Sequence, residues 1–207
     1  MSKASAPSDW REARREAARD AIVDAAWQLV RDEGLAGLSL RDLAKRAGIT
    51  TPTVYAYFDS KMAIYDAMFG HAAAAFLEHM EQPYPEGQAT AAHLAEGVHR
   101  FVGFCTEDQP RYQLLFQRTI PGFEPSPESF APAVAALDLL VARLGAAGIT
   151  DPRHVDLWTA WTTGLVSQQI ANDPGGDRWT RLTDEMVAMF LAHCRPNEPT
   201  RSRRNRA

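Results

Sequence analysis

Apolar residues recur every three to four positions through most of the chain, and the places where that rhythm stops divide it into helices. From about Trp10 to Glu33 the stripe is Ile22, Ala26, Leu29 and Val30, closed by Gly34 with Leu35 behind it. Leu40, Leu43, Ala44 and Ala47 make a second, shorter stripe, with Ser39 as N-cap, Asp42 three residues on and Gly48 as terminator. Ile49 plugs the turn, Thr50 or Thr51 caps a third element of about two turns, and Pro52 falls in its first turn, where a missing N–H is harmless. A fourth helix starts at Lys61 with Ser60 as cap, and Ile64, Met68, Ala72, Ala75, Phe76 and Met80 carry it unbroken to about Glu81.

After the loop QPYPEGQ, the spacing predicts helices from Thr90 to Glu107 and from Pro110 to Arg118. The stretch IPGFEPSPES, with Pro121, Gly122, Pro125 and Pro127, reads as loop throughout and as a border for a pocket entrance. Further helices are expected from Glu128 to Ala147, from the Asp151–Pro152 signal to Asn172, and after DPGGD through His193. The chain is therefore expected to be all-α. Its parts are a loose N-terminus (1–9), a three-helix domain with a helix-turn-helix (10–60), a helical body (61–194) and a basic, aperiodic tail (195–207).

The third element divides into two faces. Val54 and Phe58, four apart, point inward, which leaves Thr51, Thr53, Tyr55 and Tyr57 outward. Two tyrosines on a free surface are unusual, but a DNA groove explains them: hydroxyls suit phosphate oxygens and base edges, and Thr methyls can touch thymine. Arg41, Lys45, Arg46 and Lys61 add positive charge around them. The competing reading is a small helical hairpin with ordinary solvated residues.

These residues resemble the TetR family of bacterial transcription regulators. The likeness is carried by an Ala-rich first helix, then GLAGLSLRDLAKRAGIT and TPTVYAYFDSK leading into a long fourth helix, over residues 13 to 70. The resemblance implies an all-α homodimer that inserts the helix matching Thr51 to Tyr57 into the major groove of a pseudo-palindromic operator, fused to a ligand-binding and dimerisation body. It places Ser39, Arg41, Thr51, Thr53, Tyr55, Tyr57 and Lys61 on positions that touch DNA, mostly its phosphates. No ligand can be inherited from it, because the likeness fades beyond about residue 80.

A net charge of −4 would be awkward for a DNA binder if it were evenly spread. It is not. Residues 1–66 carry ten basic and ten acidic residues, 67–194 carry seven and fifteen, and 195–207 carry five and one. The basic residues Arg11, Arg14, Arg15 and Arg19 of the first helix alternate with Glu12, Glu16 and Asp20, which favours a self-paired, solvated face over a phosphate contact. No leader and no apolar run of membrane-spanning length are recognised, and Cys105 and Cys194 read as bystander thiols, so the expected location is cytoplasmic.

No phosphate-cradling Gly loop, HExxH, CxxC or GxSxG is present, and the scattered histidines do not suggest a metal site. Neither catalysis nor a cofactor is expected. Phe101, Phe104, Tyr112, Phe116, Trp158 and Trp161 can line a cavity for a small-molecule effector or simply pack as core, with Gln113, Gln168 and His99 as candidate polar handles. Leu157, Gly164, Leu165, Met186 and Phe190 can belong to a dimer seam or to an intramolecular core, and the family resemblance favours the seam. The preferred function is an effector-released repressor; the alternative is a small-molecule carrier with little specific DNA affinity.

Overall fold

The computed structural model describes residues 7–84 and 90–194, and among these every regular element is a helix. They are α1 (Pro7–Glu33), α2 (Leu40–Arg46), α3 (Thr51–Tyr55), α4 (Lys61–Glu81), α5 (Thr90–Glu107), α6 (Gln109–Phe116), α7 (Pro127–Ala146), α8 (Pro152–Asn172) and α9 (Thr183–Cys194). Short 3₁₀ turns at Leu35–Gly37 and Thr180–Leu182 complete them. The expected loose tail from residue 195, and residues 1–6 of the expected loose N-terminus, lie outside the described residues.

Most boundaries are set by local chemistry. The Ser39 hydroxyl accepts from the Asp42 N–H, Thr50 does the same for Thr53, Ser60 for Ala63 and Asp151 for Arg153. Gly48 adopts φ 68°, so Ile49 N–H reaches back to the Ala44 carbonyl and closes α2. Gly148, at φ 78°, lets Ile149 close α7 on Leu144 in the same way.

Three expectations need correction. First, α1 starts at Pro7, inside the stretch read as loose, because proline's fixed φ suits a first helical position. Second, the same preference makes Pro127 the first residue of α7, so the end of the IPGFEPSPES stretch is helical. Third, α7 is long and apolar enough to cross a bilayer by length and composition, contrary to the expectation of no such run. Its apolar residues are mostly exposed.

The chain forms two compact units. The first comprises, of the described residues, 7–83 and 100–139, and its core joins Ile22, Val23, Ala26, Leu29 and Val30 of α1 to Leu43, Val54 and Phe58, to Ile64, Tyr65, Met68 and Phe69 of α4, and to Leu114 of α6. This core continues across residue 60, so α4 shares one core with the helix-turn-helix. Each large apolar side chain buried there stabilises the fold by about 1.5–3 kcal/mol in transfer terms. The Tyr65 hydroxyl donates to the Leu35 carbonyl, and burial raises its pKa. Cys105 is buried in the same unit, and burial pushes its thiol far above the usual range despite nearby Arg111.

The second unit comprises, of the described residues, 84, 90–99 and 140–194. Trp158 packs edge-on against Phe190 at 4.9 Å, among buried Leu144, Leu165, Val166 and Val187. Buried Gln169 organises the α8–α9 turn: its Oε1 accepts from Trp179 N–H at 2.9 Å and Thr180 N–H at 3.2 Å, and its Nε2 donates to the Gly176 carbonyl at 3.0 Å. Trp179 thus lies before the last helix and not on it.

Candidate nucleic-acid interface

The recognition element is a helix of five residues, extended by Tyr57 N–H and Phe58 N–H bonding back to the Val54 carbonyl. Val54 and Phe58 are buried, as their spacing predicts. Arg19 fixes the far end: its Nη1 donates to the Tyr57 carbonyl at 2.8 Å while its guanidinium lies 4.5 Å from the Phe58 ring centre. With the underside anchored twice, the opposite face is held out as a rigid surface.

On that face Tyr55 is 51% exposed, and Thr51, Thr53 and Tyr57 are half-buried. The Thr53 hydroxyl lies 2.8 Å from that of the cap Thr50, which orients it at the start of the helix. Arg41 is exposed on α2, and Ser39 is half-buried at its cap position. Lys61 opens α4, its ammonium 5.5 Å from the Tyr65 ring. Of the other cations expected nearby, Lys45 is exposed, but Arg46 is committed to Asp32 at 2.6 Å.

Beside α3 runs an open groove of about 730 Å³, walled by Pro52, Thr53, Ala56 and Tyr57 on one side and by Trp10, Arg11, Arg14 and Arg15 of α1 on the other. Arg11, Arg14 and Arg15 are exposed, as a solvated face of α1 requires, but the expected pairing within that face is not found. Among the described residues no ion pair joins Arg11, Arg14 or Arg15 to Glu12, Glu16 or Asp20, and Asp20 faces His71 at 3.4 Å.

Comparison with known proteins bears directly on this segment. The sequence model described as "Bacterial regulatory proteins, tetR family" matches residues 22–68, which span the whole helix-turn-helix and the start of α4. An uncharacterised HTH-type transcriptional regulator of Mycobacterium tuberculosis is 29% identical over 195 residues, covering 90% of each chain. Through its helix-turn-helix segment the chain resembles the TetR family of transcriptional regulators. The fold agrees well beyond residues 22–68. A Rhodococcus protein of unknown function superposes with a TM-score of 0.71 at 20% identity, covering 86% of this chain and 95% of that one. FadR of Bacillus subtilis, solved with stearoyl-CoA, superposes at 0.66 and 19% identity, covering 83% and 97%.

The aromatic residues expected around an effector fall into separate places. Phe101, Phe104 and Phe116 cluster on Phe76 of α4, with ring centres 5.2–6.0 Å away, and Tyr112 is buried 5.7 Å from Phe116. Trp158 and Trp161 belong to the second unit, 5.2 Å apart. Trp158 is buried; Trp161 is half-buried, and its indole N–H is buried without an acceptor among the described residues. Of the polar handles, His99 pairs with Asp184 at 2.9 Å and Gln168 accepts from Asn172 at 2.8 Å, both near the surface.

A cavity of about 560 Å³ does exist in the first unit, and only Phe116 of the six expected aromatics lines it. Its apolar walls are Phe69 of α4, Leu114 and Leu115 of α6, Ile120 and Phe123 of the loop, and Phe130 of α7; Gln117, Arg118 and Glu124 supply the polar atoms. The loop IPGFEP borders it, as expected. Ile120 and Phe123, two large apolar residues inside a Pro/Gly-rich loop, were the sequence signal for this cavity.

The expected dimer residues also divide. Leu165 and Phe190 are buried in the subunit's own core, so neither is free to form a seam. Met186 is half-buried, whereas Leu157 and Gly164 are exposed. A Cβ added at Gly164 meets nothing within 4 Å, so no neighbouring backbone of the same chain accounts for this glycine.

Proposed function

We propose that the protein is a cytoplasmic repressor that binds a pseudo-palindromic operator as a homodimer and is released by an apolar small molecule. The observation that carries this reading is the anchored, outward-facing set Thr51, Thr53, Tyr55 and Tyr57, bracketed by Ser39, Arg41 and Lys61. Tyr and Thr hydroxyls combine phosphate contact with base-edge readout, and the flanking cations contribute the salt-dependent part of the affinity.

Dimerisation is supported by apolar surface that one chain leaves uncovered: Phe130, Val134, Leu137 and Val141 in a stripe along α7, Leu157 beside open Gly164 on α8, and Met189, 64% exposed, on α9. A soluble protein covers a stripe of this size with a partner, and a second copy also supplies the second recognition helix a palindrome requires.

The 560 Å³ cavity is the effector site in this reading. Its walls suit a ligand with a broad apolar body, and Gln117 and Arg118 suit a polar or anionic end. Stearoyl-CoA, bound by the Bacillus subtilis relative, is a molecule of that character. Two polar ties connect the cavity's elements to the DNA reader. The Asp66 carboxylate of α4 accepts from the Ser126 N–H at 2.6 Å and from the Ser126 and Ser129 hydroxyls at 2.9 Å each, gripping the start of α7. Arg31 of α1 holds Asp108, the N-cap of α6, at 2.8 Å. A guest that spreads α6 and α7 from α4 strains both ties and shifts the recognition helix.

The test is a gel shift with the DNA upstream of the protein's own gene against random DNA of equal length. Specific retardation that Tyr55→Ala with Tyr57→Ala abolishes supports the reading. Equal affinity for both duplexes favours the alternative, a small-molecule carrier that keeps the domain without using it.

A further inference from the structure

The groove between α1 and α3 has a chemistry that the recognition helix alone does not explain. Arg11, Arg15 and Arg19 recur at four-residue spacing and share one face of α1, with Arg14 beside them. Arg19 is the registering residue, bonded to the Tyr57 carbonyl and stacked on Phe58. Moving toward the N-terminus, Arg15 lies about 6 Å and Arg11 about 12 Å farther along the helix axis, so the face runs past α3 as a row of cations.

We propose that Arg11, Arg14, Arg15 and Trp10 form a second DNA contact, a clamp on the sugar–phosphate strand that borders the groove entered by α3. The proposal rests on the reading of α3 as the recognition helix. One wall of the cleft carries three guanidinium groups, and among the described residues no carboxylate lines it. Trp10, 53% exposed, contributes apolar surface together with Pro52 and Ala56, while Thr53 and Tyr57 contribute hydroxyls. A deoxyribose–phosphate strand is the complement of that mixture: anionic oxygens for the arginines and hydroxyls, apolar sugar faces for Trp10 and Pro52. The cleft is open along its length, as an extended strand requires and an enclosed small molecule does not.

The experiment compares the wild-type protein with the Arg11→Ala, Arg14→Ala, Arg15→Ala triple variant by fluorescence anisotropy. Each is titrated against a labelled duplex from upstream of its own gene and against a shuffled duplex, between 50 and 300 mM salt. Three lost phosphate contacts make the plot of log affinity against log salt shallower by about 2.7 units and lower affinity on the order of a hundredfold at 0.15 M salt. The ratio of affinities for the two duplexes stays constant, since phosphates carry no sequence, and a triple Lys variant keeps the wild-type slope.

A triple Ala variant with the wild-type slope overturns the clamp. So does a collapsed ratio with an unchanged slope, which assigns the arginines to base edges. The parent reading fails separately: a wild-type protein that does not prefer the upstream duplex removes α3 from recognition, whereas the slope difference still reports the arginines. All three positions are exposed, so an unchanged melting temperature verifies that the variant is folded.

Discussion

The two exposed surfaces of this protein are opposites. Around α3 the apolar residues Val54 and Phe58 are buried and the surface is hydroxyl-bearing and cationic. Along one side of α7, and at Leu157 of α8, large apolar residues are themselves outside, with Phe130, Val134, Leu137, Val141 and Leu157 in water in the single chain. Surface of the first kind is stable in water and attractive to a polyanion; surface of the second kind is an unmet demand for apolar cover. The contrast assigns partners of different chemistry to different helices, and each assignment can be broken on its own.

The largest effect is expected where cover is missing. Replacing Leu137 and Val141 with Glu puts two charges into the α7 stripe; the chain should still fold, because both sites are exposed, but the proposed homodimer should be lost altogether. Sedimentation velocity reads the change, and a variant that stays dimeric removes α7 from the seam. Gly164→Leu separates the two helices. It leaves the monomer intact, as there is open space around that position, and weakens the dimer only if another subunit's backbone approaches α8 there.

Second in size is the reader's own core. Phe58→Ala removes a ring that is 2% exposed and costs about 3–5 kcal/mol, read as a lowered melting temperature. The same change also removes the platform under Arg19, so specific DNA binding should be lost along with stability. Retained operator binding in a destabilised protein would show that the face of α3 needs no anchor.

These regions also differed in how much the sequence disclosed. Caps and stops of the reader act over three or five residues, as in Ser39 to Asp42, Thr50 to Thr53 and Ala44 to Ile49, so local spacing sufficed to place them. The contacts that went unread are long-range: Arg19 to Tyr57 over 38 residues, Asp66 to Ser126 over 60 and Arg31 to Asp108 over 77. Polar groups that meet only after packing leave no periodic trace. The aromatics show the same limit, since Phe69 and Phe130 line the cavity while Phe101 and Phe104 pack on Phe76, and nothing in spacing distinguishes the two fates. Proline was misleading at Pro127 because a helix breaker and a helix starter are one residue type seen from opposite sides.

Asp66→Ala tests whether the two surfaces communicate. It strips three hydrogen bonds from the start of α7 and is expected to cost about 1–3 kcal/mol of stability. Operator affinity without effector should be nearly unchanged, since Asp66 faces α7 and not DNA. The decisive quantity is the factor by which an effector, found by thermal-shift screening, lowers that affinity: it shrinks if the tie transmits the signal. An unaltered factor would leave transmission to the Arg31–Asp108 pair or to apolar packing.

The smallest expected effect is at Lys61. Its ammonium lies over Tyr65, at the cation end of a contact worth about 0.5–1 kcal/mol on an exposed site, so Lys61→Ala should lower the melting temperature only slightly. On DNA the lost charge should weaken binding to operator and random sequence alike and make the salt slope shallower by about one unit, one phosphate's share. That uniformity distinguishes Lys61 from Tyr55, whose removal should reduce discrimination between the two sequences with little change in slope. A Lys61 variant that loses discrimination at constant slope would move base reading from α3 to the start of α4, and the polar surface would then have to be redrawn around both helices.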